Sequence, residues 1–283
     1  MTKVAAIQMC STNNLKENLL TAAQLIEQAS TQGAKLAVLP EMFVLLGCDS
    51  FEKVKIKEKA GSGKIQDFIS NLAIKHNIWI VAGTIPLICE NPNKIRAACI
   101  VFDNNGNQVA RYDKRHLFDA TLSSNEAYRE SDTTEAGEDI VVVQTPAGKL
   151  GLSVCYDLRF PEHFSKLSAK GAEIISAPSA FTIKTGEAHW ELLTRCRAID
   201  TFCYLIGACQ GGTHSNGRET YGHTIIISPW GDIINKSLAL NADVIYANIN
   251  LDKVYEIRNQ IPIIQSHLSI QNKESVFLGV HYS

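Results

Sequence analysis

Three residues able to do chemistry together, Glu41, Lys114 and Cys155, each stand just past an apolar or strand-like run. A thiol attacks a carbonyl or nitrile carbon as its thiolate, and free cysteine is mostly protonated at neutral pH. It therefore needs a base or a nearby cation. A carboxylate whose pKa burial has raised toward neutrality can take the proton, which makes Glu41 the candidate base. The Lys114 ammonium can stabilise the thiolate and then the oxyanion of a tetrahedral intermediate. The backbone N–H of Tyr156, directly after the thiol, is a natural second oxyanion donor. Such a set cleaves carbon–nitrogen bonds with neither metal nor cofactor. The carboxylate takes the thiol proton, delivers it to the departing amine, and then activates the water that hydrolyses the thioester.

The elements around these residues would bring them together. The apolar run 149–154 reads as a buried strand leading to Cys155. Pro161 and Glu162 suit the first turn of a following helix, where proline lacks only an orphan N–H and glutamate meets the positive dipole end. Glu41 follows a strand at 35–40, and Lys114 follows one at 109–113. In open α/β sheets ligands bind outside the carboxyl ends of strands. Further strands are predicted at 4–9, 78–82, 97–102, 141–144, 173–177, 203–209, 224–228 and 244–249. Helices are predicted at 15–32, after Gly63, and at 161–170, 189–200 and 251–260. On the helix at 189–200, Leu192, Leu193, Cys196 and Ile199 form the apolar face, with Arg195, Arg197 and Asp200 as ion-paired surface. Hairpins interleaved with helices imply mixed sheets covered by helices. The strands are too many for one sheet with two helical layers, so two face-to-face sheets with helices outside fit better. No linker composition interrupts the chain, which favours one domain over 1–283, with a core at about 3–267 and a tail at about 268–283.

Of the 283 residues, 45% are hydrophobic and 20% charged, an ordinary globular balance. A formal net charge of −2 lacks the basic excess of a nucleic-acid footprint. The 8 cysteines include no C-x-x-C pair, so zinc-site spacing is absent and most read as small buried hydrophobes. The apolar N-terminal stretch is too short for a signal peptide and is interrupted by Gln8. No stretch is long enough to span a bilayer, and a reduced cytoplasmic protein is expected.

The segments 39–43, 112–118 and 151–162 resemble, in order, the three signature regions of the carbon–nitrogen hydrolase (nitrilase) superfamily. The resemblance runs from Lys3 to about His267. It implies a four-layer α-β-β-α sandwich with Glu41 as general base, Lys114 as oxyanion lysine and Cys155 as nucleophile. It also implies a second glutamate that orients the lysine and the base, matched by Glu130 with Glu126 as near rival. It further implies at least a homodimer, formed through helices near 161–170 and 195–201. The segments 178–181, 185–191, 195–200, 221–223 and 229–231 look like the branch holding deaminated glutathione amidase and omega-amidase, whose members hydrolyse the amide of a 2-oxo dicarboxylic acid. The segment 210–223 is closer to the former. Substrate carboxylates need cations, and Arg159 is the first candidate because arginine pairs bidentately with carboxylates. A buried ion pair of Arg159 with Asp157 or Glu162 is the equal alternative. Phe181 and Thr182 follow another strand end and either line the pocket or pack a loop. By the same resemblance His116 and His223 take structural parts. A catalytically silent binding protein on this fold is the alternative of a different class, which the intact set of four residues does not favour.

Overall fold

The computed structural model describes residues 1–124 and 126–262. The tail expected at 268–283 and the core boundary expected at 267 lie outside those residues. Two six-stranded sheets form the framework. The first runs in the order Asp243–Ile249, Thr2–Gln8, Leu36–Val38, Trp79–Ile88, Ile95–Phe102 and Gln108–Asp113. Leu36–Val38 is parallel to both its neighbours, and the other pairings are antiparallel. The second runs Ile233–Lys236, Ile225–Ile227, Tyr204–Gly207, Ile174–Ser176, Gly148–Leu152 and Val142–Thr145. There Ile174–Ser176 is the strand with two parallel neighbours.

Side chains alternate across a strand with period two, and the first sheet uses both sets. Val4, Ala6, Leu36, Val38, Val81, Cys99 and Val101 pack in one cluster with Leu150, Leu152, Ile174 and Ile206 of the second sheet. The intervening Ala5, Ile7, Ala37, Ile80, Ala82, Ile100 and Phe102 pack instead against Ala22, Ile26, Ile69 and Ala73 of the helices Leu15–Thr31 and Lys64–His76. The second sheet carries Phe164, Leu167 and Ala198 of the helices Pro161–Ala169 and Glu191–Thr201 in its own cluster. The layers are therefore α-β-β-α. Burial on both faces explains why these strands read as nearly continuous apolar runs.

Three expectations change. The helix Glu191–Thr201 buries Thr194, Arg197, Ala198 and Thr201, whereas Leu192, Cys196 and Ile199 face outward. Arg197 can turn inward because its charge is fully engaged. Its Nε donates to the Leu158 carbonyl at 2.9 Å, Nη1 meets Asp200 at 2.7 Å, and the guanidinium lies over the Phe164 ring. The chain coils from Ile183 onward, six residues before the predicted start, through a widened turn over Gly186–Trp190. Any side chain on Gly186 would collide with Tyr221. Among the cysteines, Cys99, Cys155, Cys203 and Cys209 are buried, but Cys10, Cys48 and Cys89 are half-buried and Cys196 is exposed. Among the described residues, no helix is long and apolar enough to cross a membrane.

Candidate active site

Glu41, Lys114 and Cys155 meet at one end of the paired sheets. Glu41 lies three residues beyond Leu36–Val38, in a loop held from two sides. The Met42 N–H donates to Thr84 Oγ1 at 2.8 Å, and Gln210 Nε2 donates to the Glu41 carbonyl at 3.0 Å. Gly83 allows this approach, since a Cβ there would collide with the Pro40 carbonyl. Lys114 directly follows Gln108–Asp113, where the Gly137 N–H donates to the Lys114 carbonyl at 2.9 Å. A Cβ on Gly137 would collide with the Asp113 carbonyl. Cys155 begins the turn Cys155–Arg159 just past Gly148–Leu152, with φ +49°. Met42, beside Glu41, is likewise at φ +55°. Non-glycine residues in this region store strain that the surrounding structure must hold, and such residues cluster at functional sites.

The exposure of Glu41 is 2%, of Lys114 1% and of Cys155 9%. Lys114 Nζ donates to Glu41 Oε1 at 2.8 Å and to Glu130 Oε2 at 2.7 Å. Glu130 Oε2 also accepts from the Phe118 N–H at 2.7 Å. Glu126, the rival, instead accepts from the Tyr128 hydroxyl at 3.0 Å on its own hairpin. The Glu41 side chain and the Ala180 backbone N–H both act on the Cys155 thiol. Burial, then the Glu41 charge, pushes this thiol well above its usual 9.0, although Lys114 and the Ala180 N–H pull it down. These influences favour the protonated thiol at rest, beside a carboxylate. Burial works against the Lys114 charge, but Glu130 and Glu41, with Cys155, hold its pKa well above 10.5. Burial likewise raises Glu130, yet Lys114 and Lys53 bring it below the usual 4.5. Tyr156 is the second residue of the turn, where N–H groups have no partner inside the helical turn itself.

Asp157 braces that turn. It is fully buried and accepts from Tyr112 Oη at 2.6 Å, Val154 N–H at 2.7 Å, His116 N–H at 3.2 Å and His116 Nδ1 at 2.6 Å. His116 in turn stacks on Phe160 at 3.7 Å, a structural placement. Burial raises the Asp157 carboxyl, but its hydrogen bond from His116 and its other partners bring it below 3.8. A depressed carboxylate stabilises the fold fully above its unfolded pKa, and that stabilisation is lost as pH falls through the folded value. Asp157→Asn is accordingly expected to cost about 3 kcal/mol at neutral pH, and to flatten the loss of stability below the usual 3.8. Urea denaturation of both proteins across that acid range checks it; parallel curves would refute the assignment.

Arg159 pairs with neither Asp157 nor Glu162 among the ion pairs of the described residues. Its Nη2 meets His189 Nδ1 at 3.1 Å, and its guanidinium lies 5.8 Å from the Tyr156 ring centroid and 5.9 Å from that of Phe181. With Phe181, Thr182 and Cys155 it lines a small pocket of about 20 Å³. A larger cavity of about 310 Å³ opens onto Glu41, Lys114, Glu130 and Cys155. Its walls include Lys53, Tyr128 and Arg218, which the sequence reading passed over. Lys53 lies on a four-residue helix with no apolar period. Arg218 lies just before Glu219–Tyr221, which pairs with Gly211–Thr213, and the intervening Asn216-Gly217 was a legible turn signal for that hairpin.

The family described as carbon-nitrogen hydrolase matches residues 3–259 of the sequence. The chain belongs to this family. It is a hydrolase of non-peptide carbon–nitrogen bonds. A relative from Yersinia enterocolitica, named deaminated glutathione amidase, is 42% identical over 267 residues, covering 93% of this chain and 91% of the relative. The crystal structure of Saccharomyces cerevisiae Nit3, described as a member of branch 10 of the nitrilase superfamily, superposes with TM-score 0.83 at 32% identity. It covers 93% of this chain and 94% of that one. The Caenorhabditis elegans NitFhit structure gives TM-score 0.87 at 35% identity, covering 93% of this chain and 64% of that longer one.

Proposed function

We propose that the chain is a cysteine-dependent amidase acting on the amide of a 2-oxo dicarboxylic acid, foremost deaminated glutathione, which it splits to 2-oxoglutarate and cysteinylglycine. The observation that carries this reading is the Glu41 carboxylate, shared between the Cys155 thiol and the Lys114 ammonium at the base of the larger cavity. Glu41 takes the thiol proton as Cys155 Sγ attacks the amide carbon. The carbonyl oxygen becomes an oxyanion held by Lys114 Nζ and the Tyr156 N–H. Glu41 then passes its proton to the nitrogen, the C–N bond breaks, and a thioester remains. Water, deprotonated by Glu41, attacks that thioester and regenerates acid and thiol. Glu130 fixes Lys114 in place from the other side. Because the thiol is protonated at rest, attack and proton removal are coupled. Arg159, Phe181 and Thr182 serve the acyl half of the substrate, whose entry requires their small pocket to widen.

The same reading includes a homodimer in the cytoplasm. The homodimer is supported by the outward apolar stripe on Glu191–Thr201, where Leu192 is 68% and Ile199 41% exposed, and by Trp230 at 56%. Arg195 Nε ties this helix to the Gly231 carbonyl beside Trp230 at 2.9 Å.

A coupled assay for released 2-oxoglutarate, with ammonia measured in parallel, tests the activity. Deaminated glutathione should give the higher kcat/KM, without ammonia. A preference for 2-oxoglutaramate would make the enzyme an omega-amidase. Turnover of neither by folded protein would leave the silent binding protein.

A further inference from the structure

Two cations in the larger cavity make no ion pair within contact distance among the described residues, although Lys53 feels the nearby Glu130 charge. Lys53 is half-buried, and among the described residues it donates to Thr134 Oγ1 at 3.2 Å. Burial lowers its pKa, countered in part by Glu130, yet no carboxylate oxygen lies within ion-pair distance among the described residues. Arg218, also half-buried, lies over the Tyr128 ring at 5.1 Å and donates from Nη2 to the Ala180 carbonyl at 3.3 Å. Its Nε is buried and has no hydrogen-bond partner among the described residues. A buried polar group without a partner is uncommon and calls for an explanation such as an absent ligand. The remaining charges of the cavity do not supply one. Glu41 and Glu130 are engaged by Lys114, and Asp49, Asp132 and Arg129 are exposed.

Ala180 ties Arg218 to the chemistry. Its backbone N–H acts on the Cys155 thiol while its carbonyl accepts from Arg218, and all three residues line one cavity. The cavity wall contains Glu41, the group that protonates the departing nitrogen; the Arg159 pocket does not. The leaving half of the substrate must lie where that proton is delivered. A cavity of about 310 Å³ also suits a departing group of small-peptide size, at the lower end of ordinary ligand sites.

We propose that Arg218 and Lys53 form an anion subsite for a carboxylate on the amine half of the substrate. This rests on the amidase reading and sharpens it: the preferred amide carries an acidic group on its leaving side as well as on its acyl side. The wall Arg218–Ala180–Cys155 then holds the far end of the departing amine while the scissile nitrogen faces Glu41.

The test compares deaminated glutathione, whose departing cysteinylglycine bears a carboxylate, with 2-oxoglutaramate, which has the same acyl half but loses ammonia. Arg218→Gln and, separately, Lys53→Met should raise KM for deaminated glutathione roughly 10- to 100-fold, the range of one charge-assisted hydrogen bond. For 2-oxoglutaramate, KM should change by less than about threefold in either variant, far below that charge-assisted range. The methyl ester of the glycine carboxylate should erase the difference between wild type and variant. Equal losses on both substrates, or none on either, would overturn the subsite. The two variants carry different structural roles, so misfolding of one leaves the other to decide. Wild-type protein that turns over neither substrate would bring down the amidase reading itself, a result distinct from an unchanged ratio.

Discussion

Cys155→Ala is expected to lower kcat for amide hydrolysis by about 10⁴-fold or more, the scale seen when a nucleophile acting in a concerted set is removed. The substitution deletes one atom and little else. Alanine keeps the Cβ and the backbone N–H that donates to the Pro178 carbonyl at 2.9 Å. It accepts the left-handed φ of +49° at a strain comparable to that of cysteine. The melting temperature should therefore move by only a few degrees, which separates lost chemistry from lost fold. The variant leaves Glu41 paired with Lys114, so the charge balance of the site persists. Cys48 lines the same cavity, but burial and the nearby Glu52 and Asp49 raise its thiol, with Lys53 pulling the other way, and nothing positions a base on it. It should not rescue turnover. Single-turnover mass spectrometry should find the acyl group on Cys155 in wild type and on no residue of the variant. Turnover within tenfold of wild type, or an acyl adduct elsewhere, would remove Cys155 from the reaction.

The strand ends that place this chemistry were legible because the signals are local. The runs ending at Pro40 and Val154 are apolar and buried, the one ending at Asp113 is a half-exposed edge strand, and the residue that follows each run sits at a carboxyl end. The layer count was legible because the strands are too many for one sheet with two helical layers; burial on both faces of Thr2–Gln8 agrees with it. What escaped depends on distant segments. The apolar stripe Leu192, Cys196 and Ile199 looked like a core face because hydrophobic residues at helical spacing usually are. It turned outward because the Leu158 carbonyl, Asp200 and Phe164 offered Arg197 a complete set of partners. Gly83 and Gly137 carry no motif of their own, and their value lies in carbonyls of Pro40 and Asp113 that pass too close for any side chain. Lys53 and Arg218 lie 165 positions apart in sequence by their numbers, on a short helix and a hairpin, and share a wall only after folding. Arg159 was chosen because arginine pairs bidentately with carboxylates, whereas the wider space beside the thiol is walled by those two.

Lys114→Arg is expected to lower kcat by about 10²–10³-fold while KM stays nearly constant, the cost of misplacing one oxyanion donor. The charge is retained, so the comparison isolates shape. A compact ammonium reaches Glu41 at 2.8 Å and Glu130 at 2.7 Å from one nitrogen. It still has a third N–H to aim at an oxyanion. A planar guanidinium makes its strongest contacts in pairs within its own plane, so binding both carboxylates turns its remaining N–H groups away from the carbon that Cys155 attacks. It is also larger, in a position only 1% exposed. Lys114→Met separates the electrostatic part. It leaves Glu41 and Glu130 buried without their shared cation, a loss of about 3–5 kcal/mol in stability as well as of activity. Glu130, held below 4.5 by Lys114 and Lys53, should then titrate higher. The arginine variant should keep most of that stability and lose the rate, whereas the methionine variant should lose both. Steady-state kinetics beside urea denaturation measure the split. Wild-type kcat in the arginine variant would show that any cation suffices there, and the oxyanion role of Lys114 would have to pass to the backbone donor at Tyr156 alone.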